Sequence, residues 1–147
     1  VDDEALTDGI FPALKMGALL GAGAGPREDQ RPAAYIVIAL SARGPAEAPR
    51  DVGAAAMTIL LGAAALGLGA CWIRTIDRPV LTGLLGLPPE VKIDSVIALG
   101  RPAEAPLVEA AEAGRTDYWR DEEGLLHVPK RPFAEVAFLN GYGRAWD

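Results

Sequence analysis

Lys130 and Arg131 stand between Pro129 and Pro132, two cations held by flanking prolines in an otherwise acidic chain. Other residues capable of chemistry are scarce. His127 is the single histidine, has no partner visible in the sequence, and reads as a surface residue of a hairpin. Cys71 is the single cysteine; it cannot form an internal disulfide, and its place in an apolar run makes it a small core hydrophobe rather than a nucleophile. Ser41 and Ser95 lack a Gly-x-Ser-x-Gly elbow, and no Cys/His cluster has zinc spacing. The carboxylates show no acid/base context and read as a solvated face. No catalytic side chain and no metal site are therefore expected. An enzyme with so few proton-transfer groups needs a cofactor to carry its reaction.

The residues that must position any such site centre on Asp51 to Arg74. Between those two charges only Cys71 is ionisable, so the stretch predicts burial over most of its surface. Met57, Leu60, Leu61, Ala64 and Leu68 recur at helical spacing, with Ala and Gly filling the other positions. This predicts a central helix, packed on a sheet or against a second copy of itself, since small residues allow close approach. Gly67-Leu68-Gly69 ends the helix, and Ala70-Cys71-Trp72-Ile73 reads as a short buried strand. The run is about as long as the ~20 residues that span a bilayer. Its Ala/Gly composition, without an aromatic belt or basic cluster, argues against a span.

The remaining elements follow in order. Asp2, Asp3 and Glu4 suit a helix N-terminus, and Pro12 divides the following pattern into two short helices, the second ending near Leu20. Gly21 to Pro26 follows a helical pattern rather than a strand, so it predicts a surface loop and not a phosphate-cradling one. Ala33 to Leu40 predicts a strand covered on both faces, in mid-sheet. Ser41 to Arg50 predicts a loop, with Asp51 capping the central helix. Asp77 caps a further helix with Pro79 in its first turn and Val80, Leu81, Leu84 and Leu85 inward. Gly86 and Pro88-Pro89 end it, and Ser95 to Leu99 predicts another buried strand.

The tail differs in kind. Ala103 to Gly114 reads as a solvated helix or a linker. Tyr118-Trp119-Arg120 and Leu125 to Val128 flank Asp121 to Gly124, whose glycine fits a hairpin turn. Phe133, Val136, Ala137 and Leu139 suggest a short docking segment, and Asn140 to Asp147 is expected to fray.

Composition sets the outer bounds. A chain of 147 residues, 50% apolar, is large enough for one domain with its own core and needs no disulfide or metal staple. Fourteen basic and twenty acidic residues leave a net charge of −6, which disfavours nucleic acid and anionic membrane as partners. The absence of an export signal and the cysteine usage predict a cytoplasmic protein.

Several stretches, taken in series, resemble one family. Asp51 to Ile73, then Ile76-Asp77-Arg78, Leu84-Leu85-Gly86-Leu87-Pro88 and Ala98 to Glu104, look like the C-terminal two-thirds of FMN-dependent nitroreductases. Ile10 to Lys15 and Val128 to Pro132 resemble flanking segments of one subgroup. The resemblance implies an α+β fold, with a central mixed, mostly antiparallel sheet sandwiched by helices in an intertwined homodimer whose seam is the central helix. It makes residues 1–147 a single nitroreductase-like domain, with 115–147 as a C-terminal extension. It implies hydride transfer from NADH or NADPH to FMN and on to a nitroaromatic, quinone or similar acceptor. By position, Trp72, Ile73, Arg74 and Thr75 would border the flavin ring. Lys130 and Arg131 would hold part of its phosphate, for which two adjacent cations beside rigid prolines are suited.

The sequence also departs from that family. Its relatives open with an Arg-Arg-Ser-x-Arg-x-Phe-like segment and an Ala-Pro-Ser-x-x-Asn-like loop that grip the flavin, and neither is matched here. Arg74 stands where a glycine is expected. The reading therefore expects an N-terminally short domain, with a partner chain as one source of the missing contacts. A flavin-free nitroreductase-like scaffold or binding protein is the alternative function.

Overall fold

A computed structural model of the protein describes residues 1–17, 20, 26–41 and 48–146. The expected glycine loop at 21–25, the end of the second N-terminal helix at 18–19, and 42–47 of the loop before the central helix lie outside the described residues. The chain forms two compact units, one of 1–18 with 25–103 and one of 19–24 with 104–147.

The first unit is built on three antiparallel strands, β1 (Ala34–Ser41), β2 (Gly69–Ile73) and β3 (Val91–Gly100), in the order β1-β3-β2. β3 is central because it is the longest strand and has apolar residues on both faces, with Ser95 to Ala98 all buried. β1, expected in mid-sheet, is instead an edge strand; Tyr35 is buried and Ile36 is 37% exposed. β2, expected to be buried, is the other edge. Ala70 and Cys71 are exposed there and only Ile73 is buried, so Cys71 is not a core residue.

Strand alternation sends Tyr35, Ile73, Val96 and Ala98 to one face, where they form a core with Ile10, Ala13, Leu14, Leu81 and Ile93. The register slips at Ile38/Ala39, which pair with Ser95 and Ile93, so Asp94 is the extra residue of a bulge. Ile97 and Ser95, of opposite parity, belong to the second face, and the sheet is sandwiched by helices.

α1 (Glu4–Ile10) starts where Asp3 accepts the Leu6 N–H at 3.0 Å. Pro12 then allows only one 3₁₀ turn, Phe11–Ala13, and Leu14 leaves it in extended backbone. The expected second helix is thus a single turn at its start. α3 (Arg78–Leu84) is capped by Asp77, which accepts the Val80 N–H at 3.1 Å. Leu81 is fully buried beneath it, whereas Val80, expected inward, is 50% exposed: a seven-residue helix lays one narrow stripe on the core.

α2 (Ala48–Ala65) packs on all three strands. It begins three residues before Asp51, which lies in its first turn rather than at its cap, since Pro49 needs no hydrogen-bond partner there. Gly67 closes it with φ +72°, and the Leu68 N–H returns to the Ala63 carbonyl at 2.9 Å. Its buried residues are Val52, Ala56 and Ala63. The expectation of burial on nearly every side is not met within one chain, because the sheet covers a single helix face. Met57 (51%), Leu61 (64%), Ala54, Thr58 and Gly62 lie exposed on the outer side.

The second unit holds β4 (Leu107–Ala110), β5 (Trp119–Arg120) and β6 (Leu126–Lys130), ordered β4-β6-β5. β4 runs parallel and β5 antiparallel to β6, so the mixed pairing is here, while the first sheet is antiparallel throughout. The segment expected as helix or linker therefore contributes a strand. The hairpin forms as expected: Gly124 has φ +84°, and Asp121 accepts the Leu125 N–H at 2.7 Å. After α4 (Phe133–Val136), the stretch expected to fray is turned back, with the Leu139 N–H on the Arg144 carbonyl at 3.1 Å. Phe138 meets Tyr142, and Phe133 meets Trp146, edge to face.

Candidate functional site

Of the residues singled out for chemistry, Trp72 to Thr75 lie in the first unit, where β2 passes into α3. The backbone there is stitched to the segment after α1: the Lys15 N–H donates to the Thr75 carbonyl at 3.0 Å and the Asp77 N–H to the Ala13 carbonyl at 2.8 Å. Leu14 and Ile76 form the bridge between them. Arg78 secures the other side. Its Nε donates to the Ile93 carbonyl at 3.0 Å and its Nη2 to the Asp94 carbonyl at 2.8 Å, capturing the acceptors at the β3 bulge. Nη2 also reaches the Arg74 carbonyl at 3.5 Å. Residues 74–77 are consequently a fixed loop, not a mobile one.

Beside it is an open cleft of about 390 Å³, lined by Lys15, Thr75, Ile76, Asp77, Arg78 and Pro79. Arg74 and Thr75 expose their side chains. Ile73 is 4% exposed and packs in the core, so it offers a ligand only its backbone. Trp72 is half-buried, and its Nε1 is a buried donor with no acceptor among the described residues. Tyr35 Oη, Ser95 Oγ and Arg31 Nε are buried in the same state.

Lys130 and Arg131 belong to the second unit. Pro129 is buried in β6 and the Lys130 carbonyl accepts the Ala111 N–H at 2.8 Å, so the strand carries the pair to its end in fixed backbone. Both side chains are exposed, and neither takes an ion-pair partner among the described residues. Two adjacent donor-only groups fit an anion with several acceptor oxygens, such as a phosphate monoester.

His127 is not the isolated surface residue that the sequence suggests. Its Nδ1 lies 3.1 Å from Glu109 Oε2 and its Nε2 3.2 Å from Asp121 Oδ2, with the side chain only 12% exposed. The ring stacks on Trp119, centroids 3.9 Å apart and planes at 18°. Trp119 Nε1 donates to Glu109 Oε1 at 3.2 Å. The bond to Glu109 raises the His127 pKa; burial opposes this and Asp121 adds to it. Glu109 is lowered chiefly by its bond with His127. For Asp121, burial pushes upward but is outweighed by bonds from His127 and the Leu125 N–H. The hairpin register that faces Trp119 with His127 was open to sequence reasoning. The arrival of Glu109 on a parallel strand was not.

The Nitroreductase family model matches residues 22–101, more than half of the chain, and the protein belongs to that family. Solved structures of the same fold include a nitroreductase family protein from Clostridium novyi NT, 22% identical over 69% of this chain and 58% of that one, with a TM-score of 0.55. An FMN-dependent nitroreductase from Clostridium difficile R20291 is 23% identical over 77% and 65% of the two chains, at 0.56. A protein from Parabacteroides distasonis ATCC 8503 is 20% identical over 97% and 70%, at 0.61. The chain thus spans less than two thirds of the length of the two clostridial structures. No curated protein matches significantly. Among the described residues no helix is long and apolar enough to cross a membrane, and no cluster of His, Cys, Asp and Glu could hold a metal.

Proposed function

We propose that this chain acts as an FMN-dependent oxidoreductase that takes reducing equivalents from NADH or NADPH and delivers them to a small-molecule acceptor such as a nitroaromatic or a quinone. The observation that carries this reading is the fixed Arg74–Asp77 loop with the open cleft beside it, in a member of the nitroreductase family. FMN, when bound, supplies the hydride chemistry that the side chains lack. The chain supplies position and electrostatics. Trp72, Arg74 and Thr75 offer donors and a rigid border to a ring, and Ile73 offers backbone. Lys130 and Arg131, taken by themselves, offer two cations to a phosphate.

The same reading makes the protein a homodimer. The outer side of α2 is apolar and lined with small residues, and a second copy of the helix is the surface that matches it.

The test is the visible spectrum of protein mixed with FMN and desalted. A retained flavin band, bleached by NADH or NADPH and restored by an acceptor, is the expected result. Lys130→Ala with Arg131→Ala should weaken FMN binding by about tenfold or more, as expected for lost charge-assisted bonds. Protein that stays colourless and takes up no FMN would overturn the reading in favour of a flavin-free scaffold.

A further inference from the structure

His127 has a carboxylate at each ring nitrogen, Glu109 from β4 and Asp121 from the turn between β5 and β6. An ionised carboxylate only accepts hydrogen bonds, so both nitrogens must donate, and only the imidazolium can do that. A neutral ring has one N–H, and its lone pair would face the second carboxylate. The stack on Trp119 favours the same charged form, through attraction of a cation to an aromatic face. Of the neighbouring ionisable groups, Arg120 pairs with Glu104 at 2.8 Å and donates to the Gly124 carbonyl at 2.7 Å, while Glu123 interacts with Asp121 and helps hold its carboxyl ionised.

The strand that carries this histidine is short. β6 pairs with four residues of β4 in parallel and with two of β5, and Pro129 has no N–H to contribute. A sheet this small is marginal on its backbone bonds alone. Lys130 and Arg131 follow His127 by three and four residues on the same strand and its exit.

We propose that His127 is a protonation-dependent positioning residue, whose imidazolium ties β4, β6 and the β5–β6 turn together and so sets the Lys130–Arg131 pair for binding an anion. Its effect on FMN rests on the proposed function; the clamp itself does not. The chain becomes a flavin-binding protein whose grip on phosphate loosens as pH rises through the titration of one side chain.

Because His127 is the only histidine, its ring resonances in a ¹H–¹³C correlation spectrum report it without assignment. The intact protein is titrated across neutral pH, with amide-exchange protection factors read at Val128 and Lys130 and FMN affinity measured in parallel. The expected result is a midpoint above the ordinary imidazole range, lowered in both Glu109→Gln and Asp121→Asn. Protection and FMN affinity should fall several-fold above that midpoint, and the affinity step should vanish in His127→Gln. A midpoint at or below that of a free imidazole, or protection that does not change across it, overturns the clamp. Protection that falls while FMN affinity stays flat leaves the clamp and overturns the phosphate role of Lys130 and Arg131. The two carboxamide variants keep side-chain shape, so the titration stays readable if His127→Gln does not fold.

Discussion

The Arg78 guanidinium reaches from the first turn of α3 to the Ile93 carbonyl, 3.0 Å from Nε, and spans the β3 bulge with a second bond to Asp94. This contact joins the loop after β2 to the central strand. Arg78→Ala should therefore act on the Arg74–Asp77 loop more than on the core. We expect a loss of about 1 kcal/mol in urea unfolding, at the low end for bonds to a charged donor because the group is partly solvated. FMN affinity should fall further than this stability loss explains. Arg78→Lys should not restore it, since an ammonium cannot present a planar fork to two carbonyls. Unchanged flavin affinity in both variants would show that the loop does not depend on Arg78.

Leu81 is fully buried between α3 and the sheet. Leu81→Ala should cost about 2–5 kcal/mol by cavity formation, and denaturant unfolding with an unchanged m-value would measure it. Val80→Ala, one residue away and half exposed, should cost much less.

Leu61 is 64% exposed in the last two turns of α2. If the proposed dimer forms through α2, Leu61→Glu should leave the single chain folded yet convert that dimer into monomer in light scattering coupled to gel filtration, because the charge would be buried against the second helix. A variant that remains dimeric at the same concentration would place the seam elsewhere.

The second unit should have two pH limits. His127 is raised in the folded state, so its contribution is complete below the unfolded value of about 6.5 and is lost as pH rises through the higher folded value. Glu109 and Asp121 are lowered, so theirs is present above the ordinary carboxylate range and is lost as pH falls through their folded values. Trp119 fluorescence, isolated by comparison with Trp119→Phe, should report both limbs. His127→Gln should abolish the alkaline one.

Much of the fold could be read from local signals. The Asp77 cap with Pro79, the Gly67 helix end and the turn closed by Gly124 depend on residues close together in the chain, and all three are formed. What failed depended on remote neighbours. The run from Ala33 to Leu40 carries no mark of which strand becomes its partner, so an edge strand looked central. Cys71 looked buried for the same reason. α2 looked enclosed because its composition reflects all the surfaces it meets, including any on another molecule. His127 looked solitary because Glu109 lies eighteen positions away and faces it only through a parallel pairing. The basic pair was legible by its charge, whereas the stitching of Thr75 to Lys15 was not.

Gly62 sits on the outer side of α2, and a methyl group added there meets nothing within 4 Å. That vacancy turns the residue into a reporter whose sign identifies its surroundings. In a lone subunit, Gly62→Ala should raise stability by about 1 kcal/mol, since alanine is the better helix former. If another helix lies across this spot, the same methyl pushes the two backbones apart, and dissociation should become easier as the isolated fold becomes firmer.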